Sequence, residues 1–245
     1  VEIMPCERNA ATRIIEDFML IANETVAEDC FWQQLPFLYR THEKPDPDRM
    51  RKLVTFLHNF GYTLRLKDNE VHPKEIQKLL AKLEGTAQEA LIDRLTLRSM
   101  KQAKYTTECT GHFGLAAKYY CHFTSPIRRY PDLQIHRIIK DTLRGRMKEE
   151  KLQHYQMILD EVAKQSSERE RRAAEVERET IRLKKAEYMS RHLYEEFDGV
   201  ISGMTAWGIY VELPNTVEGL VRASSLQGDY FEYNESTYEM VGAHT

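Results

Sequence analysis

Apolar residues recur along the chain at two different periods, and the change of period divides it. From about Arg8 to Asp29, Ile14, Ile15, Phe18, Met19, Ile21 and Ala22 return at helical spacing, which predicts a first helix. Gln34 to Glu43 reads as extended, a candidate strand. In the next helix Asp46 suits the N-cap, Pro47 the first helical position and Gly61 the position just past the end, with Leu53, Val54, Leu57 and Phe60 as its stripe. Pro73 and Gly85 bracket another, lined by Leu79, Leu80 and Leu83. Thr86-Ala87-Gln88-Glu89 has the form of a capping box opening a third. Residues 103 to 110 alternate weakly and form a second candidate strand. Ser125-Pro126 then predicts a helix start, with Gly145 as the stop after Arg144. A long charged helix follows from about Lys148 to Tyr194, supported by Glu–Arg pairs one turn apart.

From Glu196 the pattern shifts to short alternating runs separated by glycines, so a boundary is expected near residue 195. The expected fold class is α+β, mostly helical up to that boundary and β beyond it. With 42% hydrophobic and 30% charged residues in 245, the chain has globular composition, which excludes collagen-like, mucin-like and wholly disordered readings. The longest uninterrupted apolar run is Phe18 to Ala22, too short for a transmembrane helix, and the opening Val1 to Pro5 lacks the basic start and apolar core of a signal peptide. Cys6, Cys30, Cys109 and Cys121 show no Cys-x-x-Cys spacing, so neither a zinc site nor a disulfide framework is indicated. A cytoplasmic protein with reduced thiols and no membrane association is expected.

Net charge at pH 7 is −3, but the sign is segregated. Between Lys118 and Lys148 there are eight basic residues and two acidic ones; from Glu196 onward there are eight acidic residues and one basic, Arg222. The basic middle is where a polyanion is expected. It contains Gly111-His112-Phe113-Gly114-Leu115-Ala116 and, further on, His122 to Arg137. The glycines allow backbone to approach a ligand closely. Ser125-Pro126 would cap a helix whose free amides can meet a phosphate. Arg128 and Arg129 in such a first turn oppose the helix dipole, so they need an anionic partner, either protein carboxylates or a ligand phosphate.

Thr124-Ser125-Pro126-Ile127-Arg128-Arg129-Tyr130-Pro131-Asp132-Leu133 resembles the signature of the RNase II / RNase R family of processive 3′-to-5′ exoribonucleases. Ile15 to Glu24, Pro36 to Glu43, Gly111 to Ala116 and Glu175 to Glu179 resemble further family stretches in the family's order. From Glu196 the chain resembles the opening of an S1-type RNA-binding domain. The resemblance implies a partial RNB-type catalytic domain over residues 1–195 and the first part of a truncated S1-type OB-fold barrel over residues 196–245. It implies that Arg128 contacts the scissile phosphodiester, where a planar guanidinium suits developing charge. Glu16 and Glu177 match family acids that orient Arg128 and the terminal ribose. His112, Tyr119, Ser125, Arg129, Tyr130 and Arg137 are placed near the RNA path, and Trp207, Tyr210 and Arg222 on the RNA-binding face of the S1-type module. Plainer readings stay open at this point: core aromatics for Tyr119 and Tyr130, surface acids for Glu16 and Glu177, a structural imidazole for His136.

One departure matters. The family hydrolyses RNA with magnesium held by a cluster of aspartates. Of the eleven aspartates here only Asp46 and Asp48 are close in sequence, where helix capping explains them. The resemblance therefore implies a fragment of a magnesium-dependent exoribonuclease acting on single-stranded RNA. Its metal ligands are not in this chain, which is expected to be inactive alone and shows no obligate protein partner. The alternatives are a non-catalytic RNA-binding module on the same scaffold, or an adaptor using the long helix as its surface.

Overall fold

The computed structural model describes residues 3, 9–67, 70–86, 88–234 and 239–244. Cys6, Arg8, Ala87 and Asp68, which entered the sequence reading, lie outside them. Among the described residues there are six α-helices. In α1 (Ala10–Trp32) the Asn9 side chain accepts from the Thr12 amide and the Asn9 amide donates back to the Thr12 hydroxyl. α2 (Pro47–Asn59) is capped by Asp46, whose Oδ1 accepts from the Asp48 and Arg49 amides at 2.9 and 3.2 Å. α3 spans Pro73–Leu83 and α4 spans Glu89–Ser99. α5 spans Tyr130–Leu143 and α6 spans Glu149–Met189.

Two local expectations are corrected. The box at Thr86–Glu89 does not form: the Thr86 hydroxyl donates to the Leu83 carbonyl at the end of α3, and the Glu89 carboxylate accepts from the Gly85 amide. An orphan carbonyl at the end of the preceding helix competes for the same hydroxyl. Nor does Ser125 cap α5, which begins at Tyr130 with Arg129 in the N-cap position. A helix started at Pro126 would carry Pro131 in its interior, where a ring without an N–H breaks the ladder; within the first turn proline is tolerated.

The chain packs as two compact units that interleave along the sequence. One comprises Glu7–Lys44 and Lys101–Arg178. Here β1 (Tyr39–Thr41) pairs antiparallel with β4 (Lys104–Thr106), in the register Tyr39↔Thr106 and Thr41↔Lys104. Phe37, Leu38, Tyr39 and Tyr105 from this ribbon join Ala27 and Cys30 of α1, Ile135 and Ile138 of α5, and Tyr155, Leu159 and Ala163 of α6 in one core. The helical apolar period on α6 thus docks onto the unit's own core. On α1 the buried face runs through Asn23, Ala27 and Cys30, and the half-buried Glu16 and Leu20 extend it at the same spacing. The stripe expected from the sequence lies mostly elsewhere: Ile14, Ile15, Phe18 and Ile21 are 55–66% exposed.

The other unit comprises Val1–Cys6, Pro45–Met100 and Glu179–Thr245. α2, α3 and α4 bury Met50, Leu53, Phe56, Leu57, Leu79, Leu83 and Ile92, beside a short ribbon of β2 (Leu66–Lys67) and β3 (Glu70–Val71). β5 (Val200–Thr205), β6 (Gly208–Glu212) and β7 (Glu218–Arg222) make an antiparallel sheet in that order. β8 (Phe231–Asn234) and β9 (Glu239–Gly242) pair separately. Arg94 of α4 pairs with Glu218 at 2.5 Å, and Ser202 donates to the same carboxylate. The strands form small sheets without a closed barrel among the described residues, as a partial OB fold would, and the α+β expectation holds.

Asn23, 2% exposed, fastens the segment after residue 119 to α1. Its amide donates to the Tyr120 hydroxyl at 3.2 Å, its Oδ1 accepts from the Phe123 amide at 2.9 Å, and its carbonyl accepts from Cys121 Sγ. Asn23→Ala leaves the half-buried Phe123 N–H without its acceptor and is expected to cost roughly 1–3 kcal/mol, read from the urea unfolding midpoint. Two imidazoles in this unit predict a pH dependence. Burial, followed by nearby positive charge, pushes His112 down to about 4 and His122 to about 3 from the usual 6.5. Below pH 6.5 the unfolded chain takes up protons that the folded chain refuses, so the contribution is complete above that pH and is lost as pH falls toward 4 and 3. By pH 5 each histidine lowers stability by about 2 kcal/mol. Unfolding midpoints at pH 7.5 and 5 should differ accordingly, and His122→Gln should shrink the difference.

Candidate nucleic-acid interface

The turn from Thr124 to Asp132 is held by a buried carboxylate. Asp132, the third residue of α5, is fully buried. Its Oδ1 accepts from the Ser125 amide at 2.8 Å and from Arg129 Nη2 at 2.8 Å, and its Oδ2 accepts from Arg129 Nε at 2.9 Å. This is a two-pronged, charge-assisted grip, with the carboxylate at the positive end of α5 where the dipole favours it. The Arg128 and Arg129 amides both donate to the Ser125 carbonyl, at 3.3 and 3.1 Å. Residues 126–128 are therefore held as a turn between two fixed points, with Ile127 and Arg128 exposed.

The two arginines thus have opposite fates. Arg129 is satisfied by a protein carboxylate. Arg128 makes no side-chain hydrogen bond or ion pair among the described residues, so neither Glu16 nor Glu177 is its ion-pair partner.

Behind the turn stands a wall of rings and charges. The Tyr105 hydroxyl meets His122 Nδ1 at 2.8 Å, and the His122 ring lies 5.8 Å from that of Tyr120. The Arg40 guanidinium sits 4.7 Å from the centre of the Tyr105 ring and pairs with Glu170 of α6 at 2.5 Å. His112 caps a single 3-10 turn, Phe113–Leu115, by accepting from the Leu115 amide, and its ring contacts His42 and Tyr120. His42 Nδ1 accepts from the Gly114 amide at 3.0 Å, which leaves Nε2 to donate to the Lys101 carbonyl at 2.6 Å. The close backbone approach read at Gly114 is therefore made to an imidazole: a Cβ there would sit 2.9 Å from His42 Nδ1. His136 stacks on Phe123 with centroids 4.3 Å apart and meets the Phe123 carbonyl at 2.9 Å, the satisfied structural imidazole of the plainer reading.

The remaining residues singled out from the sequence are scattered. Glu16 is half-buried on α1 and Glu177 exposed on α6. Tyr119 packs on Phe31 at 4.8 Å with Lys118 over its ring. Tyr130 is 49% exposed, with the Arg137 guanidinium 5.8 Å from its centre. In the other unit, Trp207 is 78% exposed at the β5–β6 turn. The β6–β7 register (Gly208↔Arg222, Tyr210↔Leu220) puts Tyr210 and Arg222 on one face, and the Ala223 amide donates to the Trp207 carbonyl, which brings Trp207 beside Arg222 at one end of the sheet, with Tyr210 at the middle of β6. Sequence reasoning missed Arg40, Tyr105, His122 and Glu170, and gave Asp132 no role. Only Asp132 carried a local signal, an acid three residues after Arg129 in a first helical turn. Among the described residues no group of three or more His, Cys, Asp or Glu side chains is placed to hold a metal, and no helix is long and apolar enough to cross a membrane.

Comparison with known proteins places this geometry. A family model, RNB domain, matches residues 1–145. Ribonuclease R 1 of Lactococcus lactis is 45% identical over 242 residues, covering 99% of this chain and 30% of that protein. Ribonuclease R of Aquifex aeolicus is 45% identical over 245 residues, covering 99% of this chain and 34% of that protein. Mycoplasma genitalium RNase R, solved in complex with ribose-methylated single-stranded RNA, superposes with a TM-score of 0.90 at 25% identity, over 98% of this chain and 38% of that one. The chain spans about a third of the length of these relatives. With more than half of its residues matched, the chain belongs to the RNB domain family.

Proposed function

We propose that this chain is the RNA-gripping part of a processive 3′-to-5′ exoribonuclease of the RNase R type. The observation that carries the reading is Arg128: an exposed guanidinium in the basic stretch with no side-chain partner among the described residues, on a turn locked from below by Asp132. A planar cation held ready without a protein counter-ion suits a phosphodiester and the charge that develops on it during cleavage. The name of the Mycoplasma genitalium complex supports single-stranded RNA as the ligand class. In this reading residues 1–195 form part of the RNB-type catalytic domain, with Glu16 and Glu177, which do not pair with Arg128, left to orient the terminal ribose. Residues 196–245 begin an S1-type module whose Trp207, Tyr210 and Arg222 meet bases and phosphates. Ser125 serves the turn through its backbone, while Tyr119, Tyr130 and Arg137 line the approach.

Magnesium belongs to the proposed reaction, but the residues described here do not fit it: they gather no carboxylate cluster. No catalytic step is therefore assigned to a metal in this chain, and the reading puts the metal ligands on polypeptide beyond these residues. The chain alone should bind single-stranded RNA and leave it intact.

The test is degradation of a 5′-labelled single-stranded RNA with magnesium, by this chain and by a protein extended upstream. Only the extended protein should shorten the RNA from its 3′ end and release nucleoside monophosphates. Arg128→Ala in that protein should slow it roughly 10²–10³-fold, the usual scale for removing a donor to developing charge. Hydrolysis by the pure chain that disappears with Arg128→Ala would contradict the division of labour. An extended protein that binds RNA without cutting it would favour the non-catalytic binding module.

A further inference from the structure

We infer that Asp132 and Arg129 form a clasp that positions Arg128, and that Arg129 itself holds no phosphate; the inference rests on Arg128 meeting RNA. Two of the guanidinium nitrogens of Arg129 are engaged by one carboxylate, at 2.8 and 2.9 Å, and its side chain is only 16% exposed. The same carboxylate fixes the Ser125 amide, and the Ser125 carbonyl in turn takes the Arg128 and Arg129 amides. The polar links that hold residues 126–128 close on Asp132 and Ser125. Within residues 126–128 the side chains turned outward are Ile127, fully exposed, and Arg128. Asp132 never reaches a ligand, being fully buried, so any effect it has on RNA must travel through the turn. Arg129 is the second link: without its charge the buried carboxylate loses its counter-ion, and without the carboxylate Arg129 is free to leave. Asp132 and Arg129 are thus positioning residues, and the adjacent arginines of the basic stretch divide the work, one for structure and one for ligand.

This predicts a coupling that a general structural role does not produce. The affinity of this chain for a 5′-fluorescein-labelled single-stranded RNA is measured by anisotropy at several salt concentrations, for the parent chain, Arg128→Ala, Asp132→Asn and the double variant. Arg128→Ala should weaken binding about tenfold and lower the slope of log affinity against log salt by about one, as loss of one phosphate contact does. Asp132→Asn should weaken binding by a similar factor. In the Arg128→Ala background it should change affinity less than about twofold, because the residue it acts through is already gone.

If Asp132→Asn weakens binding equally in both backgrounds, or leaves the parent chain unaffected while Arg128→Ala weakens it, the clasp is refuted and the RNA reading stands. If Arg128→Ala changes nothing, the RNA reading falls and takes the clasp with it. Should Asp132→Asn fail to fold, as judged by circular dichroism, Arg129→Gln enters the same cycle with the same expectation. A salt slope lowered by Arg129→Gln in the Arg128→Ala background would show that Arg129 holds a phosphate of its own and would overturn the inference.

Discussion

A carboxylate with no exposed surface has to be compensated, and the way Asp132 is compensated shapes everything around it. Stripping one partner from a buried pair costs roughly 3–5 kcal/mol, because the remaining charge cannot reach water. Asp132 therefore holds Arg129 and the Ser125 amide in place rather than merely touching them. Because the acid sits at the third position of α5, its grip reaches back over the chain that leads into the helix. Pro131 confines the helix start to this point, and the preceding residues fold into a turn with Arg128 on its outside.

The same economy of charge runs through the adjacent wall. Arg40 is spoken for twice, by the Glu170 carboxylate and by the face of Tyr105, which ties β1 to α6 across the core. Tyr105 passes the connection to His122, a neutral imidazole kept so first by burial and then by the positive field of Arg129 and Arg40. Around the turn, then, cations and rings are fixed by one another, whereas Arg128 makes no side-chain hydrogen bond or ion pair among the described residues. That contrast between neighbours in sequence, more than the amount of positive charge, distinguishes a ligand-seeking arginine from a structural one.

How much of this was legible depends on the range of the interaction. The caps at Asp46 and Pro47, the proline at 73 and the glycines at 61, 85 and 145 mark helix ends through local backbone chemistry, and the helices end where they indicate. Ser125-Pro126 misled because two prolines competed for the same start, and the one at 131 could not be buried in a helix interior. The stripe of Ile14, Phe18 and Ile21 is real as a pattern, but periodicity says which residues share a face and not whether that face is covered. Arg128 stood out through a motif. Its support did not, because Arg40 and Glu170 lie 130 residues apart and nothing in either neighbourhood announces the other.

Amide hydrogen exchange at Ser125 in this chain tests the account at its centre. The N–H is donated to a buried carboxylate, so it should exchange as slowly as the interior amides of α5 and be released by Asp132→Asn in a protein that remains folded. Exchange at the rate of an open loop, unchanged by that substitution, would contradict the claim that Asp132 holds the turn that presents Arg128.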